Sequence, residues 1–189
     1  MFYIGVDFGQ SVDFTAIAVL EREECGVRPW MEPDFKGLSV RWLERMPLGT
    51  PFPDVVRRIE EIVAKLEWNC SAAVDATGLG APVVDMLRNA RLGCDLSPVV
   101  ITAGDRPRQE RGRWYVPRRD LIGVIQMLLE CEQLRIAKDL RECPTLVREL
   151  VSMRLKGDSR EHDDLVFAVA LACWLAERPL NGFGRGRLI

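Results

Sequence analysis

Four aspartates lie directly beside apolar runs of the sequence. Asp7 follows YIGV, Asp75 follows AAV, and Asp163 with Asp164 precedes LVFAVALAC. Clustered carboxylates repel one another and raise one another's pKa unless a cation lies among them. A site of carboxylate oxygens alone suits Mg²⁺ or Mn²⁺ better than zinc. Two such ions, about 3.5–4 Å apart, would hold the attacking and leaving oxygens of a phosphodiester.

Each aspartate taken alone has a simpler explanation. Asp7 lies where a strand meets a turn, and such residues usually form Asx turns. Asp75 comes just before Thr77-Gly78 and fits an ordinary turn, while Asp163 and Asp164 fit the cap of a helix and its dipole. The sequential pattern of three acidic sites is more specific than any single acid.

The elements that would position these acids follow from the hydrophobic pattern. Strands are predicted at 2–7, 14–22, 38–45, 70–75 and 96–102, with the first two joined as a hairpin by the turn residues GQSVD. Apolar residues at helical spacing predict helices. The helices are expected near 54–67, 78–91, 118–132, 145–153 and 163–177, with a short strand in LRIA.

This order of elements predicts an α/β fold. A mixed five-stranded sheet, an antiparallel meander followed by parallel strands, would be flanked by helices. If the strands ending at Asp7 and Asp75 are neighbours, their carboxylates meet, and a helix packed across that edge supplies the third acid. One domain is expected over residues 1–178, with a flexible tail at 179–189, where glycine recurs.

Composition narrows the functional classes. The 189 residues are 48% hydrophobic with a net charge of −2, which excludes a disordered chain. The apolar runs are shorter than the roughly 20 residues that span a bilayer, so no membrane partner is expected. Six cysteines without a CxxC motif and a single histidine argue against zinc and favour reduced thiols in a cytoplasmic protein.

The basic residues are unevenly placed. The segment 104–119, called here the arginine segment, has a net charge of +4, and the remainder of the chain is therefore −6. Such a segment can bind a polyanion although the protein as a whole is acidic. Trp114 and Tyr115 within it could stack on bases, or could simply cover the core. The predicted DNA-binding residues are Arg106, Arg108, Arg111, Arg113, Arg118 and Arg119.

Three segments together resemble a known family. GVDFGQSVDFTAIAVL, AVDATGLGAPVVDMLR and EHDDLVFAVALACW are similar to the nuclease domain of phage terminase large subunits. VPRRDLIGVIQMLLECEQLRIA and TLVRELVSMRLKG follow that domain in order and spacing, so the resemblance covers about residues 3–177. It implies the ribonuclease-H-like fold, which that domain shares with Holliday-junction resolvases. It also implies a two-ion Mg²⁺ or Mn²⁺ site on Asp7, Asp75 and Asp164. Asp163 would be either a fourth ligand or a residue that supports a ligand, and His162 or Glu161 would be auxiliary residues.

The resemblance predicts an endonuclease acting on DNA in phage or prophage DNA processing, inside a bacterial host cell. The chain has no GxxxxGK[ST] loop, so packaging-motor activity and nucleotide binding are not expected, and a separate packaging ATPase or a portal protein is the expected partner. Alternatives are a junction resolvase, a catalytically silent nucleic-acid-binding module, and an ATPase of the sugar-kinase or actin type. The last would need two such domains.

Overall fold

A computed structural model describes residues 1–9, 13–23, 37–78, 80–156 and 163–178. These residues form a mixed sheet with helices on both faces. In chain order the elements are β1 (Phe2–Asp7), β2 (Ala16–Glu23), β3 (Gly37–Arg45), α1 (Phe52–Lys65), β4 (Cys70–Asp75), α2 (Gly80–Asn89), β5 (Asp95–Thr102), β6 (Arg108–Glu110), β7 (Arg113–Pro117), α3 (Arg118–Glu130), β8 (Leu134–Ile136), α4 (Cys143–Lys156) and α5 (Asp164–Glu177).

The centre of the sheet has the predicted topology. β1 pairs antiparallel with β2, which pairs antiparallel with β3. On its other side β1 pairs parallel with β4, and β4 with β5. The central order is therefore β3-β2-β1-β4-β5, the predicted meander followed by parallel strands.

Three short strands widen the described sheet from the five predicted strands to eight, in the order β6-β7-β5-β4-β1-β2-β3-β8. β8 is the short LRIA strand, and it pairs with β3. β6 and β7 form a hairpin within the arginine segment, turning at Arg111 and Gly112 with φ of 49° and 74°. Two positive φ values match a type I′ turn. The charged residues of this hairpin conceal its strand pattern, and charge is a usual feature of an edge strand.

Side chains alternate between the two faces of the sheet. On one face Tyr3, Ala18 and Ala73 lie against α5 and share one apolar core with residues of α3 and α4, which pack on α5. On the other face Ile4 and Val6 join the apolar side of α1 and α2. Because the side-chain period of a strand is two, Asp7 belongs to the face that carries α5, with Tyr3.

Helix α5 is buried along almost its whole length, with twelve buried residues from Asp164 to Leu175. A Cβ atom on Gly5 of β1 would overlap the carbonyl oxygen of Ala168 and the backbone of Ala172. Glycine on the strand and alanines one turn apart on the helix therefore let the two backbones approach closely. This contact holds α5 against the central strand.

Several predictions concern residues outside this description. The turn residues 10–12 and the tail at 179–189 are among them. Within the described ranges, no helix combines the length and the apolar character needed to cross a membrane.

Candidate metal centre

The parallel pairing of β1 and β4 brings the first two acids together at the carboxyl ends of these strands. This border of the sheet is called here the acidic edge. Val6 is opposite Val74, so Asp7 and Asp75 are the next residues of their strands. Both follow the alternation that directs Tyr3 and Ala73 toward α5. Their carboxyl groups lie within hydrogen-bonding reach of each other. Asp75 Oδ1 also accepts a hydrogen bond from the Thr77 backbone N–H at 2.7 Å, so the turn interpretation of Asp75 and the site interpretation hold together.

Helix α5 brings the other two acids to the same edge. Asp164 begins the helix about one turn before Ala168, the residue that contacts Gly5. From Ala168 back to Asp164 the helix rises about 6 Å, and from Gly5 to Asp7 the strand advances about 6.6 Å. Because these two lengths match, Asp164 arrives beside Asp7. The side chain of Asp164 is only 7% exposed.

The electrostatics of Asp7 reflect this crowding. Burial raises the pKa of Asp7 well above its usual value, and the charges of Asp75, Asp164 and Asp163 raise that pKa further. Burial also raises the pKa of Asp75, against the hydrogen bonds from Thr77. The three other acids therefore all act on Asp7, and a cation would relieve this arrangement.

Two residues that the sequence analysis missed hold the third acid. Arg45, the last residue of β3, donates from Nη2 to Asp164 Oδ2 at 3.0 Å and to Glu149 Oε1 at 2.8 Å. Glu149 belongs to α4 and is buried. Burial raises the pKa of Glu149 to about 7, although the Val166 backbone N–H and Arg45 favour its charged form.

Patterns in the sequence could have revealed both residues. Glu149 follows Leu146 by three residues on the buried side of α4, where an acid is rarely left without a partner. Arg45 lies two residues after the buried Leu43, in phase with the core face of β3. In both cases the signal is a charged residue at a position that the hydrophobic pattern assigns to the core.

Asp163 precedes α5, and its side chain makes no capping hydrogen bond to that helix. It accepts instead a hydrogen bond from Arg118 Nη2 at 2.7 Å, and the Arg118 guanidinium lies 4.4 Å from the centre of the Phe167 ring. The capping interpretation therefore does not apply to the Asp163 side chain. Asp163 links the acidic edge to the start of α3.

The donor set fits a hard divalent cation. It consists of carboxylate oxygens, and two of these carboxyl groups approach closely enough to need a shared proton or a cation between them. Among the described residues, however, no three acidic, histidine or cysteine side chains already converge as a complete set of metal ligands. Asp163 and Asp164 are engaged by Arg118 and Arg45 instead.

The six predicted DNA-binding arginines do not lie together. β7 runs parallel to β5, so its last residue, Pro117, lies at the edge that carries the acids, and Arg118 and Arg119 follow it. The hairpin turn at Arg111 lies at the opposite end of β7. Arg113, just after that turn, is about 13 Å from Pro117 along the strand. Arg106 is exposed in the segment between β5 and β6.

Arg108 stands apart from the site and pairs with Glu110 at 2.8 Å over the Tyr115 ring. Trp114 packs edge-on against Trp174, with a centroid distance of 5.6 Å. Trp114 therefore covers the core, the second of the two interpretations offered for it. The two auxiliary candidates, Glu161 and His162, lie outside the described residues.

An open groove of about 500 Å³ begins beside the acidic edge. Its walls come from the end of β5, the end of β7, the first half of α3 and one residue of α4. Arg119, one of its lining residues, donates to the Asp105 carbonyl oxygen at 2.7 Å. Residues lining the groove include Thr102, Gly104, Arg118, Arg119, Gln126 and Met153.

Solved structures with the same fold are nuclease domains of viral terminases. The large-terminase nuclease domain of bacteriophage SPP1, with bound Mn, matches with a TM-score of 0.56 and 12% identity over 94% of this chain and 86% of its own. The corresponding domain from bacterial virus Sf6, with manganese and beta-thujaplicinol, gives 0.61 and 13% over 91% and 87%. The human cytomegalovirus terminase nuclease domain, soaked with Mn, gives 0.54 and 13% over 93% and 82%.

Sequence comparison adds nothing to this likeness, since no protein-family model matches the chain and no curated protein matches it. Identities of 12–13% establish the fold alone. The chain therefore has the ribonuclease-H-like fold of phage and viral terminase nuclease domains, as the resemblance of its motifs predicted.

Proposed function

We propose that the protein is a metal-dependent endonuclease that hydrolyses DNA phosphodiester bonds. The observation that carries this proposal is that four acids meet at the acidic edge. Three of them raise the pKa of the fourth, Asp7. A ligand of opposite charge would explain why these buried carboxylates lie together although they destabilise one another. The terminase likeness supports a nuclease, because the structures of that fold named above include forms with bound or soaked manganese.

Asp7, Asp75 and Asp164 would hold Mg²⁺ or Mn²⁺ ions, with Asp163 as a further ligand or a residue that orients one. Two ions at this edge would supply Lewis-acid activation of a water molecule and stabilisation of the leaving 3′ oxygen. The protein's own contribution is positional. The pairing of β1 with β4 fixes two carboxylates relative to each other, and the Gly5 contact with α5 fixes the third.

DNA would lie along the groove that begins beside Asp163. Arg118 and Arg119 border both the groove and the acidic edge, and cations there would hold phosphates without reading the base sequence. Arg106 lies in the same loop region as the groove and would add to this attraction. Arg108, Arg111 and Arg113 lie farther along the hairpin and would contact DNA only outside the cleaved region.

The biological setting is a proposal of the same kind. The module would act in the cytoplasm of a bacterial host, on phage or prophage DNA, and a separate packaging ATPase or a portal protein would deliver that DNA. The likeness to terminase nuclease domains is what supports it.

Plasmid nicking tests the proposal. Wild-type protein should nick supercoiled plasmid with Mg²⁺ or Mn²⁺ and should not nick it with EDTA. Asp75→Asn should reduce nicking by at least about 100-fold, because one carboxylate of a jointly held metal site is lost. The matched control is Asp85→Asn, an exposed residue of α2 on the opposite face of the sheet, which should leave nicking unchanged.

A four-way junction assayed beside the plasmid separates the proposal from the resolvase alternative. Cleavage confined to the junction would replace the general endonuclease with a resolvase. Folded wild-type protein that cuts neither substrate in either metal contradicts the nuclease proposal altogether.

A further inference from the structure

Arg45 lies between two buried carboxylates from different helices. Its Nη2 atom contacts Glu149 Oε1 at 2.8 Å and Asp164 Oδ2 at 3.0 Å. The exposed fractions of the three side chains are 17%, 6% and 7%. The guanidinium is also placed 4.4 Å from the centre of the Phe14 ring. A long side chain that is mostly buried and contacts two carboxylates and a ring has little freedom to reorient, so it restrains the groups that it contacts.

Glu149 has a second partner in the same place. Its Oε2 accepts a hydrogen bond from the Val166 backbone N–H at 3.1 Å, in the first turn of α5. An unpaired N–H at the start of a buried helix must find an acceptor, and Asp163 does not supply one through its side chain. Glu149 therefore caps α5 from α4 and joins the start of that helix to Arg45.

The charges of this cluster are unequal. Two carboxylates, Glu149 and Asp164, share the single guanidinium of Arg45, and both contacts use the same nitrogen. Arg45 therefore neutralises Asp164 only in part, because Glu149 draws on the same positive charge. The remaining negative charge faces Asp7, whose pKa it helps to raise.

We propose that Arg45 and Glu149 are positioning residues that set the orientation of Asp164 and the negative charge that Asp164 offers to a divalent cation. This inference rests on the proposed function in one respect, that Asp164 is a metal ligand. Neither Arg45 nor Glu149 touches the metal. Glu149 acts by sharing Arg45, and Arg45 acts by holding Asp164 Oδ2.

Two substitutions should move metal affinity in opposite directions. In Glu149→Gln the amide oxygen can still accept the Val166 N–H, but the whole charge of Arg45 now falls on Asp164, and Mn²⁺ should bind at least about threefold more weakly. In Arg45→Met the cation is gone and Mn²⁺ should bind at least about threefold more tightly. Cleavage should fall in both variants, because Asp164 is either over-neutralised or no longer oriented.

Arg45→Lys supplies the rescue. Because one nitrogen of Arg45 makes both contacts, a lysine ammonium can replace it and should return the Mn²⁺ affinity toward the wild-type value. A role in stability alone predicts a different pattern, in which all of these variants lower the melting temperature and none changes the metal affinity of the folded protein.

The experiment is a calorimetric titration of each folded variant with Mn²⁺ at alkaline pH, where a carboxyl with a pKa of about 7 is ionised. Circular dichroism in EDTA gives each melting temperature. The matched control is Glu177→Gln, which removes a carboxylate that contacts Arg22 at 2.7 Å at the far end of α5. It should leave Mn²⁺ affinity unchanged.

Opposite shifts for Glu149→Gln and Arg45→Met support the inference. If Arg45→Met does not fold, weaker binding by Glu149→Gln together with recovery in Arg45→Lys decides in its favour. Wild-type affinity in folded Glu149→Gln overturns it. Wild-type protein that binds Mn²⁺, shows the opposite shifts and cuts no DNA leaves the inference standing and contradicts the nuclease proposal. Wild-type protein that binds no Mn²⁺ overturns both.

Discussion

Gly5→Ala should separate the acids of the candidate metal centre without changing any of them. The added Cβ atom would overlap the carbonyl oxygen of Ala168 and the backbone of Ala172, and backbone atoms cannot rotate aside as a side chain can. Helix α5 must therefore move away from β1. Asp164 begins that helix, so it moves away from Asp7 as well.

The size of the effect follows from the packing. Overpacking a closely packed core costs about 1–3 kcal/mol, and for a chain of this length each kcal/mol lowers the melting temperature by about 2–4 °C. Gly5→Ala should therefore lower it by about 2–12 °C. A displacement of about 1 Å at a reacting centre can reduce the rate about 100-fold. Most molecules of Gly5→Ala should thus be folded at 25 °C, yet nearly inactive.

The matched control is Gly123→Ala on α3. A Cβ atom at Gly123 would meet nothing within 4 Å in the described part of the chain, and alanine is the better helix former. This variant should gain about 0.5–1 kcal/mol. Because Gly123 lines the groove, it controls for stability alone, and Asp85→Asn remains the control for nicking. Thermal melts followed by circular dichroism and plasmid nicking with Mn²⁺ give both quantities. Gly5→Ala protein with wild-type stability and activity would refute the close packing of α5 on β1 as the device that places Asp164.

Two further predictions concern charge. In EDTA the stability of the wild type should fall as the pH rises from about 4 through neutrality, because the pKa of Asp7 is raised in the folded state and the folded protein holds its proton longer than the unfolded chain. Asp7→Asn should weaken this dependence and remove the rise in melting temperature that Mn²⁺ gives the wild type; equal Mn²⁺ stabilisation in both proteins would place the metal elsewhere. Arg118→Ala/Arg119→Ala should reduce the salt slope of DNA binding by about two for two lost phosphate contacts. Arg111→Asn/Arg113→Ala, which removes the same charge at the opposite edge, should change the slope less, and the reverse order would move the DNA path to the hairpin turn.

Much of the fold could be predicted because its signals are local. The short, mostly apolar segment Cys70–Asp75 and the continuous apolar run of α5 are properties of neighbouring residues, and the structure confirms both elements. The expectation that Asp7 and Asp75 lie side by side needed one further step, the adjacency of their strands, which the parallel pairing provides. The edge strand β6 (Arg108–Glu110) escaped prediction because its residues are exposed and carry no core pattern.

The site could be predicted only at residues whose immediate sequence neighbours mark them as unusual. An aspartate beside a buried strand stands out. The sequence marks Arg45 and Glu149 only as charges in phase with the core faces of β3 and α4, and that signal does not name the residue that each contacts. Their importance comes from contacts across 119 and 104 positions of sequence, between Arg45 and Asp164 and between Arg45 and Glu149. The division of the arginine segment between two edges likewise depends on the hairpin turn, which its charged strands concealed.

The charges at the acidic edge connect stability with function. Asp7, Asp75, Asp163, Asp164 and Glu149 together contribute up to five negative charges, and Arg45 and Arg118 contact three of these residues directly. Burial raises the pKa values of Asp7 and Glu149, and the neighbouring acids raise them further. Without a cation, protons kept on these carboxyls lower the excess of negative charge. A divalent cation would displace those protons and remove the same repulsion. Repulsion among these carboxylates therefore both destabilises the protein and favours the binding of a cation. A substitution that reduces the repulsion must also weaken the binding of the cation.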